Sequence, residues 1–240
     1  MNELTERAIR EHAVAEYPRE ACGLIAVIKG KERYLPCRNL AESNKQNFVL
    51  HPEDYAKAED LGEVIAVVHS HPDASNLPSD ADKVVCARQG MPWYIVSVNA
   101  QGETSDVHCH MPDGYEAPLV GRQFSHGVLD CYALVRDYYA REVGMVLPDY
   151  ERQDNWWNNG QDLYMQNYRD AGFHPIKGEV RKHDIIIMQV RSPRPNHAGV
   201  YIGDGLMLHH MYGRLSTREV YGGWFQEITR VIVRHKELQA

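Results

Sequence analysis

Polar and apolar residues along the first half of the chain predict an ordered alternation of helix and strand. A helical stretch covers residues 3–16 and is ended by Pro18. An apolar run at Cys22–Ile28 predicts a strand, and a less regular strand follows near Arg33–Cys37. His51–Leu61 reads as a short helix, Val64–Ser70 as a buried strand, Ser79–Gln89 as a helix and Trp93–Val98 as another strand. Met111–Pro118, with two prolines and a glycine and no apolar period, marks a boundary, so the expected domains are residues 1–111 and 112–240. The second half predicts a helix from Asp130 to Val143 and a looser one around Gly160–Ala171. Strands follow at Asp184–Val190, His197–Ile202, Leu206–His209 and Ile228–Arg234. Each half is α+β, a helix first and then a run of strands.

Composition narrows the class of protein. The 240 residues are 43% hydrophobic and 25% charged, which is ordinary for globular domains and argues against wholesale disorder. Lys and Arg number 26 against 33 Asp and Glu, a net charge of −7 without a basic run, so phosphate-mediated nucleic-acid binding is not expected. The longest apolar runs, such as Val64–Val68 and Ile185–Met188, are strand-sized and far short of the ~20 residues of a spanning helix. The opening MNELTERAIREH has no apolar core and does not read as a secretion signal, so a soluble protein folded in a cytoplasm is expected. Five scattered cysteines (Cys22, Cys37, Cys86, Cys109, Cys131) without a C-x-x-C pair fit reduced thiols.

The first chemical constellation lies where the buried strand ends. His69 and His71 stand at i, i+2, so both imidazoles point to one face, and Pro72 stops the strand. After a polar loop a helix begins at Ser79, whose fourth residue is Asp82. Ser79 and Asp82 also have the spacing of a capping box, which needs no metal. Two imidazoles and a carboxylate nonetheless suit Zn²⁺ and leave a fourth position for water, the open arrangement used in amide hydrolysis. The string His-x-His-Pro, loop, Pro-Ser-x-x-Asp resembles the signature of the JAMM/MPN zinc isopeptidases over about residues 5–100. That resemblance implies an α-β-α, cytidine-deaminase-like domain with zinc held by His69, His71 and Asp82. It further implies Glu20, in Glu20-Ala-Cys-Gly-Leu-Ile25, as the general base that takes the water proton, and Ser79 as a stabiliser of the oxyanion.

The second constellation opens the Asp130 helix. Cys131 falls in its first turn, where unpaired N–H groups and the helix dipole favour a thiolate. His197 opens the strand His197-Ala-Gly-Val-Tyr-Ile-Gly203, and His209 ends the next one; the hairpin turn Gly203-Asp-Gly205 makes the two strands neighbours. Asp-Cys at a helix start, His-x-Gly before an apolar-Tyr-apolar-Gly strand and a polar residue about a dozen positions on resemble the NlpC/P60 cysteine peptidases over about residues 118–215. The resemblance implies a papain-like domain in which Cys131 is the nucleophile, His197 the base and His209 the orienting third member. It implies cleavage of peptidoglycan stem peptides at the D-γ-glutamyl bond to a diamino acid. Tyr132-Ala133 stand where the family usually has Ser-Gly, and the aromatic upstream of the cysteine is Phe124, which lacks the family's hydroxyl. Trp156-Trp157 fits either a substrate groove or core packing.

The two resemblances in this order are themselves similar to a family of siphophage and prophage tail-tip assembly proteins. That likeness implies peptidoglycan peptides and other tail-tip proteins as partners, with no integral membrane contact. It implies a host-cytoplasmic site of assembly, then the virion tail tip, with action at the bacterial wall or periplasm. Competing readings are a structural tail-assembly factor with silent sites, and a cellular peptidase for ubiquitin-like or sulfur-carrier conjugates.

Overall fold

The computed structural model describes residues 1–41 and 48–238. The chain forms two compact units, Met1–Glu116 and Ala117–Ala240.

In the first unit α1 (Glu3–Glu16) starts at Asn2, whose side chain accepts the Thr5 N–H. It is followed by β1 (Cys22–Ile28), β2 (Lys31–Cys37), α2 (Pro52–Leu61), β3 (Glu63–Pro72), α3 (Asp80–Gln89), β4 (Trp93–Val98) and β5 (His108–His110). The strands make one sheet in the order β2-β1-β3-β4-β5, antiparallel except for the β3–β4 pair. Both faces of the sheet are covered, and this explains why β1 is apolar throughout rather than alternating. Ile25, Val68 and Val96 pack with Ile9 and Ala13 of α1. Cys22, Leu24 and Val67 pack with Ala58 of α2 and Cys86 of α3. The result is an α-β-α layering with β3 near its centre.

The second unit opens with α4 (Cys131–Tyr138), which widens into a π-helical turn over Tyr139–Val143. There follow α5 (Leu163–Asn167), β6 (Phe173–Pro175), β7 (Ile185–Met188), β8 (His197–Gly203), β9 (Leu206–His209), β10 (Thr217–Val220), α6 (Trp224–Ile228) and β11 (Thr229–His235). The six strands form an antiparallel sheet, β10-β9-β8-β7-β11-β6. Leu134, Val135, Tyr138 and Tyr139 of the helix bury against Ile185, Ile187, Ala198, Val200 and Leu208 of the sheet.

Several elements differ from the expectation. The looser helix contracts from Gly160–Ala171 to the short Leu163–Asn167, in a segment bracketed by Gly160 and Gly172 with positive φ of 83° and 87°. The expected helix to Val143 is regular only to Tyr138; beyond it the Tyr139 hydroxyl reaches the His183 carbonyl and the turn widens. The three- and four-residue strands β5, β6 and β10 and the short α6 were not expected, being too brief to show a period.

Candidate active sites

In the first unit the C-terminal end of β3 brings His69 and His71 together, their Nε2 atoms 2.9 Å apart. His71 Nδ1–H donates to the Ser75 carbonyl at 2.6 Å, which fixes its tautomer and leaves the Nε2 lone pair bare. His69 is buried, stacked on Phe48 with ring centroids 4.8 Å apart and edge-on to Trp93 at 5.3 Å. Its Nδ1 has no hydrogen-bond partner among the described residues. Ser79 is the N-cap of α3: its hydroxyl accepts the Asp82 N–H at 3.2 Å, and its own N–H donates to Asp82 Oδ2 at 2.7 Å. The capping box therefore exists and also orients Asp82, whose Oδ1 and Oδ2 lie 3.4 Å from His69 Nε2 and 3.5 Å from His71 Nε2.

The donor atoms of His69, His71 and Asp82 all fall within 4.8 Å of one another. Two imidazole nitrogens facing each other beside a carboxylate, one with its tautomer set so that the lone pair points inward, is a donor set that fits a divalent N/O-binding cation such as Zn²⁺. Burial alone would raise the Asp82 carboxyl, but the contacts with the His69 and His71 rings and with the Ser79 cap hold it far below the usual range. Glu20 stands two residues before the start of β1 and is buried. Burial pushes its carboxyl up to about 7, with His71 drawing it down and Asp82 adding to the rise. It therefore shares an electrostatic environment with two of the expected ligands.

In the second unit Asp130 is the N-cap of α4, accepting the Ala133 N–H at 2.8 Å. This sets Cys131 at the first turn, on a cleft of about 220 Å³ that is also lined by His197, Tyr164, Trp157 and Phe124. His197 Nε2 lies 3.1 Å from His209 Nδ1, across the paired strands β8 and β9. Gly199 stands directly opposite His209, and a Cβ there would come within 3.0 Å of the His209 Cβ. The glycine thus lets the two strands close around the pair. Burial lowers His197 to about 3, with the neighbouring His209 and His210 adding to the drop.

The thiol departs from the expectation of an easily formed thiolate. Burial pushes Cys131 up to about 11, helped by the Asp130 carboxylate. The Tyr164 hydroxyl, 3.2 Å from Sγ, and the Ala198 N–H act the other way. Desolvation is the largest of these influences.

Sequence reasoning missed two neighbours of this site. Tyr164 comes from α5, 33 residues beyond the cysteine, and puts a hydroxyl 3.2 Å from Sγ; Phe124 packs edge-on to His210 and Tyr212. Glu219 on β10 lies 2.6 Å from His209 Nε2. No local motif signals either residue. Of the tryptophans, Trp156 is buried and Trp157 faces the cleft wall beside His126.

Comparison with known proteins agrees with the order of these sites. The model of prokaryotic homologs of the JAB domain matches residues 3–110, and that of the NlpC/P60 family matches residues 121–234. Fold and site thus define a class of two-domain chains in which a JAB-type unit precedes an NlpC/P60-type unit. Over its whole length the chain is 44% identical to tail tip assembly protein K of Escherichia phage N15, covering 97% of that protein. It is 38% identical to tail tip assembly protein K of Escherichia phage lambda over 190 residues, 79% of this chain and 90% of that one. The chain belongs to the tail tip assembly protein K family. Among solved structures, a JAB1/MPN domain protein of Archaeoglobus fulgidus is 22% identical over 47% of this chain and 86% of its own, with a TM-score of 0.29.

Proposed function

We propose that this protein is a tail-tip component in which the second unit is a thiol peptidase acting on peptidoglycan stem peptides, at the D-γ-glutamyl bond to a diamino acid. The first unit is a zinc-dependent amide or isopeptide hydrolase whose substrate belongs to the tail itself or to the host. The observation that carries the reading is the meeting of Cys131 and His197 on one cleft, with His209 behind the imidazole. The protein is assembled in the infected cytoplasm beside other tail-tip proteins and opens the wall locally as DNA enters the next cell.

In the thiol unit the Cys131 sulfur attacks the scissile carbonyl while its proton passes to His197. The resting pair is thiol and neutral imidazole, since burial raises the one and lowers the other. Proton transfer therefore accompanies attack instead of preceding it. The Tyr164 hydroxyl stands beside the sulfur, and His209 holds the His197 ring.

In the first unit His69, His71 and Asp82 would hold zinc. When bound, the ion supplies Lewis acidity to polarise a carbonyl and acidify water. Glu20 takes and returns the proton at a carboxyl that burial brings to about 7, a value suited to both steps at neutral pH. Ser79 orients Asp82 through the capping box and adds a hydroxyl beside the oxyanion.

The test is mass spectrometry of peptidoglycan fragments after incubation with wild type, Cys131→Ala and Asp82→Ala. New termini with wild type and Asp82→Ala, absent with Cys131→Ala, are expected. If all three stay folded and none cuts, the thiol reading fails. A structural role in tail assembly, which the relatives' description as assembly proteins favours, then replaces it.

A further inference from the structure

The relay behind His197 does not stop at His209. Thr217 of β10 stands opposite His209 of β9, and Glu219, two residues on, shares the same face of the sheet. From that diagonal position its Oε2 comes within 2.6 Å of His209 Nε2. The contact joins a fully buried imidazole to a carboxylate whose side chain is 39% exposed.

A carboxylate only accepts hydrogen bonds, so this contact puts a proton on His209 Nε2. In the neutral ring Nδ1 is then bare, and it must accept from His197 Nε2 at 3.1 Å. That donation in turn leaves Nδ1 as the bare nitrogen of His197, a ring that lines the same cleft as Cys131. One carboxylate on an edge strand thus decides the proton positions of two rings. We propose that Glu219 is the positioning residue that sets the tautomers of His209 and His197, making His197 Nδ1 the base. The inference rests on the reading of Cys131 and His197 as nucleophile and base.

The other groups around the relay do not substitute for it. The cation of Arg214 opposes a charge on His209, and Phe225 of α6 closes its other side with ring centroids 5.1 Å apart. His210 opposes a charge on His197, whereas Asp130 favours one. Glu219 is the acidic group in contact with His209. It therefore offsets the imidazolium that forms when His197 takes the thiol proton.

The experiment uses the full chain and two readouts that need no substrate. In ¹⁵N-histidine-labelled protein, long-range ¹H–¹⁵N spectra report the tautomer of each ring; His197→Gln and His209→Gln assign the signals. Peptide-resolved mass spectrometry reports the rate at which iodoacetamide alkylates Cys131. Both rings are expected in the Nε2–H form in wild type. Glu219→Ala should mix the tautomers and slow alkylation at pH 7 about tenfold, a part of the roughly hundredfold or more that a positioned general base contributes. Glu219→Gln, nearly the same shape, should fall between, because its amide can turn either face to His209. Unchanged tautomers and alkylation rates in both variants would overturn the inference. So would a wild-type His209 protonated at Nδ1. Wild type that fails to cut wall peptide while showing these tautomers overturns the substrate reading alone.

Discussion

At Cys131 two effects of the same helix start compete. The free N–H groups of the first turn favour a thiolate, but closing the cleft around the sulfur removes the water that a thiolate needs. Burial pushes the thiol up to about 11. A raised thiol pKa means a smaller thiolate fraction at neutral pH than in free cysteine. Alkylation of Cys131 in the absence of substrate should therefore be slow at pH 7 and keep climbing through pH 9. A plateau below pH 8 would show that the helix start and the Tyr164 hydroxyl outweigh desolvation. His69, His71, Asp82, Cys131, His197 and His209 all stood out in the sequence because each sits at a strand or helix end beside a turn signal. Tyr164 and Glu219 did not, since each reaches its partner from a separate element and carries no local pattern.

At the scale of elements, α4 is anchored by one carboxylate with three donors. Asp130 accepts the Ala133 N–H, the Gly127 N–H at 2.9 Å and the Arg152 Nε at 2.8 Å. Both ionic side chains are buried. Burial alone would raise the Asp130 carboxyl, but Arg152 and the Ala133 N–H hold it below its ordinary value. Because the folded value is the lower one, this contribution to stability is fully present above about pH 4, the unfolded value, and is lost as pH falls through the folded value. Asp130→Asn should cost about 3 kcal/mol at pH 7, because Arg152 loses its buried carboxylate and keeps only the half-exposed Asp149 as an ionic partner. Urea denaturation at pH 7 and pH 3 checks both points. The gap between wild type and variant should narrow at the acid end; a constant gap would mean that the cap's hydrogen bonds, not its charge, hold the helix. The strands β5, β6 and β10 show the opposite situation. Their pairing is decided by longer neighbours, so three or four residues suffice.

For the molecule as a whole, each unit carries its own core and its own chemistry. Purified protein should hold about one zinc per chain, and Asp82→Ala should remove it. Because Asp82 and Cys131 belong to different units, that variant should leave the Cys131 alkylation rate unchanged. Zinc retained stoichiometrically by Asp82→Ala would overturn the ligand set. Much of this organisation was legible beforehand. The two α+β halves, β1, β3, β4, β8 and β9, the helix cap at Ser79, the helix start at Asp130 and the paired histidines follow from local rules. Those rules are periodicity, the stop at a proline, a side chain that caps the next turn, and the strict alternation of a strand. What only the tertiary structure decided are the quantities that depend on neighbours distant in sequence: how far burial raises Glu20 and Cys131, which hydroxyl meets the sulfur, and which carboxylate ends the histidine relay. Desolvation and hydrogen bonding act through space, over the few ångströms that packing of separate elements creates, and local sequence patterns carry no record of that distance.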